Sequence, residues 1–360
     1  MSAIPLTDFS KNQYLPYPHC NGFADKGEAI ILGQLGATDA TLVKREIRTG
    51  KETHLCTFPH GPETDKRLWF EVAEETNQLV TVSQNAVWLY DLNAPGAGRK
   101  LYEGPQEGRI HPISGITANG EKIVVGVHTS THSQVLQIDA RTGVAQLLFE
   151  KPWMADHFHF CRHDESWIGF SHEGACATVP DRVWGWHRTH SPQGMCFFNQ
   201  HSHSSGRVLY AGHERWCFHE TSALVVAYGD SPGTPRGIYE LFVDGRSQRL
   251  VSEGNRDWHV NVSHDGQWAV VDTTGPHDLP GKGWENANHR SDVLLLNMKS
   301  GERTFLAHSR IGTGHAHPHP VFSPDGRWIF FNESDAEGVL NRVCKIANPC
   351  FNGTSPTPTQ

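Results

Sequence analysis

The apolar and polar positions along this chain repeat one unit: an extended apolar run, a turn of the Asp-Gly kind, then a run rich in β-branched and aromatic residues. Its clearest forms are FADKGEAIILG (23–33), ITANGEKIVVGV (116–127), VSHDGQWAVVD (262–272) and FSPDGRWIFFN (322–332). Looser forms are VAEETNQLVTVS (72–83), CRHDESWIGFS (161–171) and FHETSALVVAY (218–228). The turns fall at positions 27, 78, 120, 165, 222, 266 and 326, a repeat of roughly 40–60 residues. Several units run on into a third strand and an exposed turn, as in VLQIDARTG (135–143) and VLLLNMKSG (293–301). Strand, tight turn, strand, loop and strand is the pattern of a four-stranded antiparallel blade. No helical apolar period is sustained along the chain. A β-sandwich is the competing architecture, but repeats of blade size favour the alternative. The pattern predicts an all-β, seven-bladed β-propeller over residues 1–350 as a single domain, with 351–360 a disordered polar tail. The last blade, whose final run is CKIA (344–347), is left open to completion by N-terminal residues.

Composition narrows the function. Hydrophobic residues make up 37% of the 360, enough for a large core, and charged residues only 19%, with a net charge of -8. Lys and Arg are scattered, which argues against nucleic acid as the main partner. No stretch of the chain is apolar for long enough to predict a membrane span. The N-terminus, MSAIPLTDFSKNQY, lacks the basic and apolar regions of a secretory signal. The eight cysteines form no CxxC and no regular spacing, which fits reduced thiols and a cytoplasmic location. There are 24 histidines, and this count invites a metal or acid–base reading.

Their positions sharpen it. The run before each turn is expected to be the innermost strand of its blade, and all seven would run in the same direction. Residues at equal distance before the turn then lie at equal height in the channel. Histidines stand at that level in six blades: His19, His111, His157, His213, His259, and the pair His317 and His319. The second blade offers Trp69 there, with Lys66 and Arg67 nearby. One histidine at such a place is most often a hydrogen-bonded structural residue. Six at one level supply imidazoles from separate strands, a good donor set for a borderline divalent ion. In HAHPHP (315–320), alternate side chains of an extended strand bring His315, His317 and His319 to one face.

At these residues the chain resembles the oligogalacturonate lyase family, polysaccharide lyase family 22. The resemblance is carried by SHEG (171–174), DRVW (181–184), GHERW (212–216), WHVNVSHDG (258–266) and HAHPHPVFSPDG (315–326), and is best between about residues 153 and 332. It implies a seven-bladed propeller that splits short galacturonate chains by β-elimination with Mn²⁺ in its site. It assigns His259, His317 and His319 as metal ligands, His213 as the catalytic base and Arg182 as an arginine facing the substrate. The family's further ligand, a Gln, corresponds to Gly314 here, which leaves that place to His315 or to water.

The chemistry such a site requires can be stated independently. β-Elimination from a 4-linked uronate removes the C5 proton, and a divalent cation on the carboxylate stabilises the enolate-like charge that develops. Arginine can clamp a carboxylate, and histidine is basic near neutral pH. His172 beside Glu173 reads as an imidazole oriented by a carboxylate. His157, His111, Arg67 and Trp216 are candidate contacts to a small anionic oligosaccharide, and Trp184 and Trp216 are candidate stacking surfaces, against the commoner reading of core tryptophans. No P-loop or dinucleotide fingerprint is present. A non-catalytic propeller scaffold and a metallohydrolase on the same histidines are the competing functions.

Overall fold

A computed structural model describes residues 2–61, 65–94, 96, 98–201, 205–312 and 317–351. Seven antiparallel sheets make up the seven blades of a β-propeller. The first blade uses Gln13–Tyr14 and Phe23–Ala24 as a broken inner strand, followed outward by Ala29–Leu35, Asp39–Glu46 and Glu52–Pro59. Blades two to six begin at Phe70–Ala73, Arg109–Ile110 with Gly115–Ile116, Ala155–Phe160, Ala211–Trp216 and Asp257–Val262. The seventh consists of Val321–Phe322, Trp328–Ser334, Asn341–Ala347 and, outermost, Ile4–Pro5 from the N-terminus. That last strand pairs Ile4 with Lys345 and Pro5 with Cys344. The N-terminal residues therefore complete the blade that the sequence left open, and the ring closes by hydrogen bonding between its two ends. The tail 352–360 lies outside the described residues.

The turns explain why the repeat was visible. At Thr117–Gly120, Ser263–Gly266 and Ser323–Gly326, a hydroxyl donates to an Asn or Asp side chain two residues on, at 2.8, 2.6 and 2.6 Å. The glycine that follows takes a left-handed φ of 73°, 67° and 71°, where a side chain would be strained. Between blades the core is a series of apolar seams. Ile31 and Leu42 meet Phe70 and Leu79 across blades one and two. Around the ring, Val270 and Leu295 meet Ile329 and Phe331, and Ile30 and Leu32 close against Phe330 and Val343. Burying both faces of each sheet is what makes the middle strands nearly continuous apolar runs.

The inner strands depart from simple extension. Blades four, five and six each carry a register shift, between Asp156 and His159, Gly212 and Arg215, and Asp257 and Val260. Each shift falls on one of the channel-level histidines. A bulge places two residues opposite one and re-aims a side chain. His157 and His213 sit in these bulges with φ of 57° and 56°, and His319 takes 47°. Non-glycine residues held there carry a cost of order 1–3 kcal/mol, and such residues cluster at functional sites. All eight cysteines are free, and no helix among the described residues is long and apolar enough to cross a membrane.

Candidate active site

The chain between Gln13–Tyr14 and Phe23–Ala24 enters the channel and brings Tyr17 to its middle. This segment is held by Asn261, which donates to the Pro18 carbonyl at 2.9 Å, by Arg215, which donates to the His19 carbonyl, and by its own turn from the Cys20 N–H to the Tyr17 carbonyl at 2.8 Å. The buried Tyr17 ring has the rings of His19 and His157 at 4.8 Å, His319 at 5.5 Å, Trp69 at 5.7 Å, His259 at 6.0 Å and His213 at 6.3 Å. The histidines predicted at one height do gather around one point. His111 joins through His157, 6.4 Å away.

Three of these rings form a set of their own. His259 lies 4.3 Å from His319 and 5.2 Å from His317, and the last two are 6.0 Å apart. The His259 Nδ1 meets both oxygens of buried Asp272 at 3.1 and 3.0 Å, and Asp272 also accepts the His259 and His319 backbone N–H groups. A carboxylate accepts, so Nδ1 carries the proton and Nε2 keeps its lone pair for a ligand. Burial pushes the Asp272 carboxyl up to about 6. Burial also holds His259 and His319 well below the usual imidazole value, with neighbouring His317 and Arg67 adding to the effect. The rings are thus neutral at pH 7, the form that binds metals. His319 Nδ1 is buried with no hydrogen-bond partner among the described residues, an arrangement that normally costs free energy and that a bound ion would relieve.

These observations fit a divalent ion. Two surface clusters draw their ligand atoms closer, within 4.8 Å of one another: His219, Glu220 and Glu240, and His277, Asp278 and Asp292. Both are already matched by arginines, Arg246 and Arg249 on the first and Arg290 on the second. The channel trio is not gathered so tightly, with ring centroids 4.3 to 6.0 Å apart. Asp272→Asn is expected to weaken divalent-ion binding about 10–100-fold, the usual effect of removing the partner that orients a ligand; calorimetric titration returning an unchanged affinity would count against the trio as ligands.

His213 stacks on His259 at 4.2 Å and donates from Nδ1 to the Trp258 carbonyl. A carbonyl can only accept, so Nε2 is the basic nitrogen. Burial, and then His259, hold His213 well below its ordinary value, leaving it able to take a proton. Arg182 braces the strand that carries His213: its Nε donates to the Ala211 carbonyl at 2.7 Å, its Nη1 to the Gly174 carbonyl at 2.6 Å, and its Nη2 to both oxygens of Glu173 at 3.2 Å. A buried guanidinium needs such partners, and they occupy much of what a substrate would use. Arg67, standing over Trp69 at 4.9 Å, is the arginine whose charge acts on His259 and His319. His157 lies 3.9 Å from Glu173, and His111 is 2.6 Å from Asp156. For His157, burial favours the neutral ring, but Asp156, Glu173 and Glu214 outweigh it and raise its pKa.

Two expectations are corrected. Trp216 is 1% exposed and packs between blades four and five against Trp167 and Phe197, so it cannot touch a substrate; the strand's alternation turns it away from the channel. His172 pairs with Asp181 at 3.0 Å rather than with Glu173, and stacks on Trp153 at 4.0 Å. Neighbours on a strand face opposite ways, so Glu173 turns to Arg182 and His157 while His172 does not. Trp184 is half-buried beneath the Lys151 ammonium at 4.2 Å. Gly314 and His315 lie outside the described residues. Tyr17 and Asp272 were not singled out from sequence. Tyr17 had a signal, two positions before His19 in the same segment; Asp272 lies in the second strand of its blade, Trp268–Thr273, and had none.

Fold and site define a seven-bladed propeller with a histidine-lined channel mouth. A sequence profile described as oligogalacturonate lyase matches residues 119–346. The chain belongs to the oligogalacturonate lyase family. It is similar to an oligogalacturonide lyase of Pectobacterium atrosepticum, 23% identical over 220 residues, and to an oligogalacturonate lyase of Dickeya dadantii, 26% identical over 224. Each alignment covers 58% of this chain and 54% of the relative, so the chain spans about half the length of the curated relatives it matches. In fold it is similar to an oligogalacturonate lyase solved in complex with manganese, with a TM-score of 0.78 and 19% identity over 96% of this chain and 92% of that one. It is also similar to an oligogalacturonate lyase of Vibrio parahaemolyticus, with a TM-score of 0.79 and 18% identity over 96% and 93%.

Proposed function

We propose that this protein is a metal-dependent lyase that cleaves short uronate-containing oligosaccharides, galacturonate chains foremost, by β-elimination. The observation that carries it is the juxtaposition of a neutral His213, its basic Nε2 fixed by the Trp258 carbonyl, with the rings of His259, His317 and His319, the first of them backed by Asp272. The family and the names of the relatives support the substrate class, and the manganese complex of the similar structure supports the choice of ion. His259, His317 and His319 would hold the divalent ion, which supplies neutralisation of the substrate carboxylate as charge flows into it. Arg67 adds a second positive charge on that side. His213 takes the C5 proton, the C5 electrons form the C4–C5 double bond, and the C4–O4 bond breaks. Tyr17 gives the departing oxygen its proton; burial keeps its phenol un-ionised, with a pKa well above the usual tyrosine value.

The test is a screen of uronide oligosaccharides with individual divalent ions, read by the ultraviolet absorbance of the conjugated C4–C5 alkene. A hydrolase on the same residues would cleave without that absorbance, and a scaffold would not cleave at all. Tyr17→Phe keeps the ring packing and is expected to slow cleavage about a hundredfold, while C5–H exchange with deuterated solvent continues. Cleavage at the wild-type rate would remove Tyr17 from the reaction.

A further inference from the structure

Blade six connects its strands Trp268–Thr273 and Arg290–Asn297 by a long excursion, 274–289, where antiparallel neighbours need only a few residues. The excursion is tightly built. Arg256, 5% exposed, spends its guanidinium on the carbonyls of Gly283, Glu285 and Pro280 at 3.0, 2.8 and 3.1 Å. The Gly283 N–H reaches the Asn255 carbonyl at 2.8 Å, and the Thr274 hydroxyl donates to the Gly283 carbonyl at 2.6 Å. Gly281, Gly283, Asn286, Asn288 and His289 all take left-handed φ. At Gly283 an added Cβ would stand 2.0 Å from the Asp230 carboxylate, so the shape admits little else. Further along, buried Asp292 accepts from the His277 backbone and ring at 2.9 and 2.6 Å. Burying a cation to order a loop is costly, and a plain connection would not require it.

What the loop presents is Trp284, 39% exposed. Its ring meets Trp258 edge-on at 5.2 Å and lies 5.6 Å from His317. Trp258 in turn stands 5.0 Å from His213 and 5.9 Å from His317. The exposed indole thus adjoins a proposed ligand directly and reaches the proposed base through Trp258, on a loop fixed in advance. A sugar's apolar C–H face packs on such a surface. We propose that Trp284, backed by Trp258, forms a stacking subsite for the sugar ring beyond the pair that spans the cleaved bond, and so sets the preference for chain length. This assignment rests on the lyase function proposed above.

The test compares wild type, Trp284→Ala and Trp284→Phe on the dimer and trimer of the uronide that wild type cleaves. In Trp284→Ala the trimer-to-dimer ratio of kcat/KM is expected to fall about tenfold, mainly through KM, because one aromatic stacking contact is lost. Trp284→Phe should retain most of the ratio, since the flat face survives. An unchanged ratio in Trp284→Ala overturns the subsite. Calorimetric binding of the same oligosaccharides separates the two levels of inference. A wild type that binds trimer tightly without forming unsaturated product overturns the lyase function, and Trp284→Ala still decides the subsite by its affinity.

Discussion

His213→Ala is expected to lose about 10²–10⁴-fold in turnover, the range for removing a positioned base, while keeping its metal and most of its substrate affinity. The expectation follows from how the ring is held. A bulge and a left-handed φ of 56° turn His213 into the channel, and the Trp258 carbonyl fixes its Nδ1 proton. A residue held at that conformational cost is over-determined by its surroundings. The C5 proton of a uronate is a poor acid, so the base contributes where the barrier is highest and little to ground-state binding. Steady-state kinetics should therefore show a fallen kcat with KM little changed. A variant that turns over normally removes the base assignment. One that loses its metal would make His213 a ligand, which its 4.2 Å stacking on His259 makes a real outcome, and the search for a base would pass to His157.

Chelation should abolish activity, and one divalent ion per chain should restore it. His317→Ala and His319→Ala are each expected to bind that ion at least about 100-fold more weakly, since losing a ligand costs more than losing the partner behind one. Both rings are buried at the centre of the ring of blades and neither substitution touches an inter-blade seam, so folded protein should survive to be measured. Elemental analysis beside the absorbance assay checks both halves. Full activity in demonstrably metal-free protein would falsify the metal site and leave the trio as a structural histidine cluster.

Much of this was legible along the chain because a propeller writes its repeat locally. The Asp-Gly turns, the apolar middle strands and the counting of positions back from each turn need only neighbouring residues, and they placed His213, His259, His317 and His319 at one height. The HPHP face was read from strand alternation, but His317 and His319 stand just before the strand Val321–Phe322 and His319 takes a left-handed φ of 47°, so an extended strand is not what brings them together. Three things were not local. Asp272 reaches His259 across paired strands, Tyr17 arrives from a segment far from the motifs it completes, and Trp284 stands beside His317 only because a buried Arg256 folds its loop over. The errors have the same origin. Trp216 and His172 carry chemically plausible side chains in the right motifs, but a bulge or a single step of alternation decides which face a side chain takes, and sequence spacing does not record it. The sequence alone determined the repeat, the level of the histidines and the residue types at that level. Tertiary structure decided which of them face one another, because hydrogen-bond partners and orientations are set by strands that meet only when the ring closes.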